Sequence, residues 1–260
     1  MHNFVVILPV FNSYQNLDKI IGEIKRSNIF VKKIIIIDNN SKLPLKNKHK
    51  ILKDNRLKYK LKINLIINKK NYGIGGSQKI IFNFLKDEKF DYLINLQTSG
   101  RFSVKEVLNS LKKINLIKFD YVVFSRFLKK NSSKNYNFIR RFGNIFFSFF
   151  TRLFTNCKIS DPGMAINVIR FTLFKKIKAN NKILNLTNDS HFPHLFNIII
   201  FENKFLFKEK SISWGEGNIK SHLTAIPINY VINLLFYLLR YLIFGKFKPI
   251  KKNNFKYTIY

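Results

Sequence analysis

The apolar residues in the first half of the chain form short runs separated by segments with helical spacing. Residues 4–8 are one continuous apolar run, and residues 31–37 include four consecutive isoleucines. Runs of this kind form strands buried on both faces, as in parallel sheets. The segment between them, residues 17–29, has apolar residues at helical spacing. This alternation predicts β-α-β units and a parallel sheet.

The rest of the chain extends this pattern and then departs from it after about residue 130. Further strands are predicted over 61–67, 92–96, 121–124 and 205–213, and further helices over 77–85, 104–114, 136–154, 192–201 and 226–244. We therefore expect an α/β fold with a mostly parallel central sheet flanked by helices over residues 1–224. Residues 225–260 are expected to form an amphipathic tail that associates with a membrane.

The last predicted helix, residues 226–244, has about the length of a membrane span. Its polar residues recur at helical spacing on one face: Asn229, Asn233, Tyr237 and Arg240. Because an arginine is costly inside lipid, this pattern favours an amphipathic helix lying in the membrane interface. A true span and a soluble core helix are the alternatives.

The chain of 260 residues has a formal net charge of +33 at pH 7. Such a charge attracts polyanions, either nucleic acid or an anionic lipid surface. The lysines are spread along the whole chain and accompany an excess of Asn, Ile and Phe, so a compositional bias is an equal explanation. The aromatic residues cluster in apolar stretches, and we therefore expect an anionic membrane surface and no nucleic acid as partner.

Cys157 is the single cysteine, which excludes a disulfide framework and a cysteine-built metal site. It fits a reducing compartment. The first residues lack the length and the basic start of a signal peptide. We expect a cytoplasmic protein, peripheral at the inner face of a membrane.

Polar segments follow several predicted strands, where α/β sheets bind ligands. A carboxylate at Asp38 can accept hydrogen bonds from a base N–H or from ribose hydroxyls, and its place at the end of a strand favours this role. The alternative is a turn or helix cap formed with Asn39, Asn40 and Ser41, which all favour turns. The glycines of residues 71–79 allow a backbone to approach a ligand closely, and the helix that follows offers its first amides to an anion.

Taken in order, the segments 5–12, 35–41, 71–79 and 92–101 resemble those of glycosyltransferase family 2, in particular its polyprenyl-phosphate (dolichyl-phosphate mannose synthase-like) branch. The resemblance covers about residues 4–224 and implies the GT-A fold of nucleotide-sugar transferases. It implies transfer of a sugar from a nucleoside-diphosphate sugar to a lipid-linked or glycan acceptor at a membrane, with a polyprenyl phosphate as the specific acceptor. The implied nucleotide-binding residues are Pro9, Phe11, Asn12, Asp38, Asn71, Gly73, Gly76, Gln97 and Ser99.

The chain departs from the family at the turn after the fourth strand. Gln97 and Ser99 stand where the family has the two acidic residues of its Asp-x-Asp-Gly turn. The resemblance implies Mg²⁺ or Mn²⁺, yet amide and hydroxyl groups hold these ions poorly. Three alternatives follow: the diphosphate and water hold the metal, basic residues replace it, or the protein binds nucleotide sugars without turnover.

The second half carries the acceptor-side resemblance. Arg126 lies in a segment similar to the family's Gly-Ser-Arg turn, and Asp161 in one similar to its Asp-x-x-Gly segment, which implies catalytic roles. The implied contacts to acceptor or phosphate are Arg140, Arg141 and Ser221.

The sequence leaves the roles of three further residues of this half open. His191 and His194 could ligate a metal or relay a proton, or could be ordinary surface residues. Trp214 could stack on a sugar or belong to the core.

Overall fold

A computed structural model describes residues 2–130, 132, 137–179, 183, 185–215, 228–245, 247 and 254–260. The strands are β1 (Phe4–Val10), β2 (Val31–Asp38), β3 (Ile63–Asn68), β4 (Tyr92–Asn95), β5 (Tyr121–Ser125), β6 (Asn167–Arg170), β7 (Phe207–Ser211) and β8 (Tyr257–Ile259). The helices are α1 (Leu17–Arg26), α2 (Leu45–Tyr59), α3 (Gly73–Phe84), α4 (Val104–Lys112), α5 (Phe138–Thr155), α6 (Phe171–Ala179), α7 (Phe192–Glu202) and α8 (Ile228–Phe244).

The strands of the described residues form one sheet of eight, in the order β7-β5-β6-β4-β1-β2-β3-β8. Strands β1 to β4 are mutually parallel, and β5 is parallel to β7. Strand β6 is antiparallel to both of its neighbours, and β8 is antiparallel to β3. The predicted α/β fold with a mostly parallel sheet is confirmed.

The isoleucine run of β2 explains how the sheet separates two cores. Successive side chains of a strand point to opposite faces. Ile34 and Ile36 therefore pack in the core shared with α1 and α4. Ile35 and Ile37 pack in the core shared with α3, α6 and α7. The run is buried on both faces because helices cover both sides of the sheet.

Several elements were not predicted from the sequence: α2, β6, α6 and β8. Helix α3 begins at Gly73 and not at residue 77, so the glycines that were expected to precede the helix form its first turn. Strand β8 pairs with β3 through Ile259 and Ile66. The predicted boundary at residue 224 placed these last residues in a tail, whereas Tyr257–Ile259 is an edge strand of the sheet.

Helices α5 and α8 pack against each other on the α3 side of the sheet, where the rings of Phe147 and Tyr230 meet at 6.3 Å. Leu234 and Leu238 of α8 are fully buried, so one face of this helix belongs to the core. The predicted C-terminal helix is present from Ile228 onward. Within the described ranges, no helix combines the length and apolarity needed to cross a membrane.

Candidate functional site

The polar segments singled out from the sequence meet at one edge of the sheet. Strands β1 to β4 are parallel, so their carboxyl ends lie together at that edge. Strand β6 begins there, because Asn167 pairs with Asn95 at the end of β4 and its side chain accepts a 2.6 Å hydrogen bond from the Asn95 amide. The predicted convergence of these segments is thus present in the fold.

Asp38 closes a turn at this edge. Its side chain is completely buried, and Oδ1 accepts a 2.8 Å hydrogen bond from the Ser41 N–H. The buried Lys48 of α2 places Nζ 2.5 Å from Oδ2 and also donates to the Ser41 carbonyl at 3.0 Å. This is the turn role that the sequence left open, and it leaves no exposed carboxylate oxygen for the predicted nucleotide contact.

The segment after β1 is tied to the turns on either side of it. The Asn12 N–H donates to Ser41 Oγ, and Asn12 Oδ1 accepts from the Lys42 N–H, both at 2.9 Å. The Pro9 carbonyl accepts a 2.6 Å hydrogen bond from the Thr98 hydroxyl. Pro9 and Asn12 therefore fix the three loops relative to one another, and Phe11 lies between them in the chain.

A cluster of asparagine amides joins the ends of β2 and β3. Asn39 Oδ1 accepts from Asn68 Nδ2 at 3.0 Å and from the Tyr72 N–H at 2.8 Å. Asn39 Nδ2 donates to Asn71 Oδ1 at 2.5 Å, and that oxygen accepts from the Gly73 N–H at 2.8 Å. Asn71 and Gly73 are thus held beside Asn39 as parts of a packed turn.

The first turn of α3 binds a piece of the protein where an anion was expected. The amides of Gly75 and Gly76 donate to the Asn188 carbonyl at 2.8 and 3.1 Å. A Cβ on Gly73 would lie 2.3 Å from the same carbonyl oxygen, and one on Gly75 would lie 2.5 Å from the Thr187 carbonyl oxygen. The expected close approach exists, but the approaching backbone is that of residues 187–189 and not a ligand.

Lys79 strengthens the contact between α3 and residues 186–188. Its ammonium donates to the Leu186 carbonyl and to Asn188 Oδ1, the latter at 2.7 Å. Burial lowers the pKa of Lys79 to about 8. Lys79 is therefore a structural cation that holds residues 186–188 on α3.

The turn after β4 is fixed through its middle residue. The Thr98 hydroxyl lies 2.6 Å from Ser13 Oγ, and the Thr98 carbonyl accepts from Asn16 Nδ2 at 2.8 Å. Gln97 lines a cavity of about 20 Å³, which has room for about one water molecule. The Ser99 Oγ is buried and has no hydrogen-bond partner among the described residues.

The residues of this turn do not fit a divalent metal. Carboxylate oxygens are the ligands that Mg²⁺ and Mn²⁺ prefer, and Gln97 and Ser99 offer an amide and a hydroxyl. In the part of the chain that the structure describes, no group of three or more His, Cys, Asp or Glu side chains could hold a metal ion.

The two residues predicted to be catalytic form one buried ion pair. Arg126 donates from Nε to Asp161 Oδ2 and from Nη2 to Oδ1, both at 2.7 Å, and its backbone N–H adds a bond of 3.0 Å. Asp161 is completely buried, and the Arg126 guanidinium also contacts Asn144 of α5 and the face of Trp214. Because both carboxylate oxygens are bound, this geometry suits Asp161 to holding Arg126.

His194 is a neutral packing residue beside this pair. A Cβ on Gly163 would lie 2.4 Å from His194 Cε1, so the imidazole rests directly on that glycine. Burial lowers the pKa of His194 to about 3. Trp214 is also buried, and its ring stacks on Phe102 with centroids 5.8 Å apart. For Trp214 this is the core alternative, whereas the surface alternative for His194 is wrong, because its imidazole is buried.

His191 links a carboxylate to α8. Its Nδ1 lies 2.8 Å from Asp189 Oδ1, and its Nε2 lies 2.9 Å from the Tyr230 carbonyl oxygen. The ring stacks on that of Tyr230 at 4.2 Å. His191 and His194 therefore face different partners and do not form a metal-binding pair.

Asp189 was not predicted as a site residue, although it is the carboxylate that His191 orients. Its side chain is 50% exposed. Burial raises the pKa of Asp189, but hydrogen bonds from the His191 ring and backbone outweigh this effect and lower it overall. The sequence offered a signal, because the turn-forming residues 188–190 immediately precede a helix with Pro193 in its first turn.

The remaining predicted acceptor residues are described only in part. Arg141 lies in the first turn of α5 and is half-buried. Arg140 belongs to the same turn, and its side chain lies outside the described atoms. Ser221 lies outside the described residues.

Comparison with known proteins identifies the family. The sequence matches Glycosyl transferase family 2 over residues 5–178, which is more than half of the chain. The chain belongs to this family. The predicted family and GT-A fold are thereby confirmed, and so is the assignment to the glycosyltransferases. The matched range contains the loops after β1 to β4, together with Arg126 and Asp161, whereas Asp189, His191 and Trp214 lie outside it.

Solved structures of low sequence identity share the fold. S. aureus TarS 1–349 in complex with UDP-GlcNAc has a TM-score of 0.55 and 13% identity over 86% of this chain and 61% of that one. The chain thus spans about three fifths of the TarS structure. Glucosyl-3-phosphoglycerate synthase from Mycobacterium tuberculosis, in complex with Mn²⁺, UDP and glucosyl-3-phosphoglycerate, has a TM-score of 0.55 and 9% identity over 100% of this chain and 87% of that one.

A relative of known sequence comes from Methanocaldococcus jannaschii. Its uncharacterized protein MJ1222 is 22% identical over 219 residues, which cover 82% of this chain and 86% of that protein. The similarity therefore extends over most of both chains.

Proposed function

We propose that this protein transfers a sugar from a nucleoside-diphosphate sugar to a polyprenyl phosphate at the cytoplasmic face of a membrane. The observation that carries the proposal is the family match over residues 5–178, which includes the loops that follow β1 to β5 at the carboxyl edge of the sheet. Two structural neighbours are complexes with UDP or UDP-GlcNAc, which supports a uridine nucleotide as the first donor to test.

In this proposal the nucleotide lies across the loop of Pro9, Phe11 and Asn12 and beside the exposed Asn71, because residues 187–189 occupy the glycines that follow. The diphosphate lies near Gln97 and Ser99. Because these two side chains bring no negative charge, the diphosphate charge is balanced by basic side chains of a chain whose net charge is +33.

The acceptor side fits a phosphate. The oxygen of a phosphate monoester is already ionised near neutral pH, so its attack on the sugar needs no strong base. The buried Asp161 carboxylate then has the role of positioning the Arg126 guanidinium, whose charge stabilises the phosphates in the transition state. Arg140, Arg141 and Ser221 remain the proposed contacts of the acceptor phosphate.

The proposal is tested by calorimetric titration of the purified protein with UDP and GDP, each with and without Mn²⁺. We expect one of the nucleotides to bind with an affinity that Mn²⁺ changes by less than about tenfold, because amide and hydroxyl groups contribute little to holding this ion. Binding that requires Mn²⁺ would contradict charge balance by basic residues. If neither UDP nor GDP binds, the proposed sugar transfer from a nucleoside-diphosphate sugar is wrong.

A second candidate is a nucleotide-sugar-binding protein without turnover, and the replacement of both acidic residues by Gln97 and Ser99 favours it. The two candidates differ in a transfer assay with a radiolabelled nucleotide sugar and a short polyprenyl phosphate. If the unaltered protein binds nucleotide but transfers nothing, and the double variant Gln97→Asp, Ser99→Asp gains Mn²⁺-dependent transfer, the second candidate is correct.

A further inference from the structure

Helices α5 and α8 expose a large apolar surface on one side of the molecule, here called the two-helix apolar face. The side chains that form it are between 41% and 78% exposed. They are Phe138, Ile139, Phe142, Ile145, Phe146, Phe149 and Leu153 of α5, and Ile232, Phe236, Leu239, Leu242, Ile243 and Phe244 of α8. A contiguous apolar surface of this size marks an interaction site in a folded protein.

The face is anchored to the rest of the domain by the opposite sides of the same helices. Phe147 of α5 and both Leu234 and Leu238 of α8 are buried in the core on this side of the sheet. The core contacts of Phe147, Leu234 and Leu238 therefore hold the exposed side chains of the same helices in place. The face is a formed surface in the folded chain.

Charge around the face indicates its partner. Residues 121–160, which include α5, contain eight Lys and Arg and no Asp or Glu. Residues 217–260, which include α8, contain seven Lys and Arg and again no acidic residue. An apolar face on two helices whose charged residues are all arginines is complementary to a lipid surface with anionic headgroups. A second copy of the chain would bring like charges together, which opposes self-association.

We propose that the two-helix apolar face docks onto an anionic lipid bilayer. The exposed Phe, Leu and Ile side chains enter the boundary between headgroups and acyl chains, while Lys and Arg contact the headgroups. The inference extends the proposed function by naming the surface that would meet a lipid-linked acceptor. It does not depend on nucleotide binding or turnover.

Both helices of the face also touch side-chain pairs of the candidate site. Asn144 of α5 accepts a 3.2 Å hydrogen bond from Arg126 Nη2. The carbonyl of Tyr230 in α8 lies 2.9 Å from His191 Nε2, and His191 in turn contacts Asp189. Docking through this face would therefore hold at the bilayer the two helices that contact Arg126 and His191.

Vesicle sedimentation tests the proposal with the full chain. The vesicles contain either phosphatidylcholine alone or phosphatidylcholine mixed with phosphatidylglycerol. We expect binding to the anionic vesicles, and we expect the double variant Phe149→Ser, Phe236→Ser to lower the partition coefficient by about tenfold or more, because each phenylalanine buries an apolar ring on insertion.

The matched control is the double variant Leu57→Ser, Ile117→Ser. These side chains are 68% and 57% exposed and lie outside the two helices. The control should bind vesicles as the unaltered protein does. All four positions are exposed, so circular dichroism should report an unchanged fold in both variants.

Two results would overturn the proposal. The first is that the protein does not sediment with anionic vesicles. If analytical ultracentrifugation then finds a dimer that the face variant dissociates, a second copy of the chain covers the face. The second is equal loss of vesicle binding in the face variant and the control. Neither result bears on the nucleotide titration, so failure of the docking proposal and failure of the proposed function are distinguishable.

Discussion

Asp161 and Asp189 are two carboxylates in opposite environments. Asp161 is completely buried, and both of its oxygens accept hydrogen bonds from Arg126. Asp189 is half-exposed, and His191 binds Oδ1. A general base must come within hydrogen-bond reach of the acceptor oxygen. Of these two residues, only Asp189 has a side chain that a substrate could reach in this conformation.

The substitution Asp189→Asn therefore distinguishes a phosphate acceptor, which needs no base, from a hydroxyl acceptor, which does. With a polyprenyl phosphate acceptor we expect kcat to fall by less than about tenfold, because an ionised phosphate oxygen needs no base. With a hydroxyl acceptor, loss of the base would lower kcat by about 10²–10⁴-fold. The measurement is the initial rate of transfer to each acceptor at saturating donor.

Asp87→Asn is the matched control, because this carboxylate is 81% exposed and lies between α3 and β4, at the opposite edge of the sheet. Its kcat should equal that of the unaltered protein. A hundredfold loss for Asp189→Asn with polyprenyl phosphate would contradict the phosphate-acceptor proposal.

At the level of elements, the junction between α3 and residues 187–189 positions the half-exposed Asp189. Gly75 and Gly76 donate to the Asn188 carbonyl, and Lys79 binds the Asn188 side chain. Glycine spacing in the sequence predicted that something approaches this turn closely. The sequence could not identify the partner, because the approaching segment is distant in the chain and makes its contact through the backbone.

Gly75→Ala tests this junction. The added Cβ would lie 2.5 Å from the Thr187 carbonyl oxygen and 2.7 Å from Phe192 Cβ. We expect the free energy of unfolding to fall by about 1–3 kcal/mol from overpacking, although alanine favours a helix more than glycine does. Urea denaturation followed by circular dichroism measures the change.

Gly245→Ala is the comparison, because none of the described atoms lies within 4 Å of the added Cβ. An alanine there is strained by the positive φ of +61°. If Gly75→Ala costs less than Gly245→Ala, residues 187–189 are not seated on α3 as described.

The elements differ in how far the sequence predicts them. Strand β2 was predicted because its four consecutive isoleucines form an apolar run, and the structure buries this run on both faces of the sheet. Helix α2 was missed because its buried positions are Lys48, Leu52 and Asn55, which give one apolar residue and no apolar period. Strand β8 was missed because three residues are too few to show an alternating pattern.

For the candidate site as well, the sequence predicts some features and leaves others open. The edge at which the loops meet could be predicted, because parallel strands place their carboxyl ends together. The partners within it could not. The amide of Asn39 and the ammonium of Lys48 decide which groups at the edge are occupied. The Asn39 contacts join segments that are distant in the chain, and the Lys48 contact depends on α2, a helix that the sequence pattern does not predict.

For the molecule as a whole, the net charge of +33 allows two kinds of association with polyanions. Charge alone attracts any polyanion, and salt screens that attraction strongly. The two-helix apolar face adds a contribution that depends on buried apolar area and that salt does not screen. The two contributions can therefore be separated by ionic strength.

We expect that raising salt from about 50 mM to about 200 mM lowers the affinity for a single-stranded oligonucleotide by about 10³-fold or more, as counterion release requires when many phosphates are contacted. Over the same interval the affinity for anionic vesicles should fall by about tenfold or less, because insertion of phenylalanine is not screened. Fluorescence anisotropy and vesicle sedimentation give the two curves. The variant Phe149→Ser, Phe236→Ser should lose this difference and follow the oligonucleotide curve with both ligands. If the unaltered protein already shows parallel curves, charge alone accounts for its attraction to membranes and the apolar face takes no part in it.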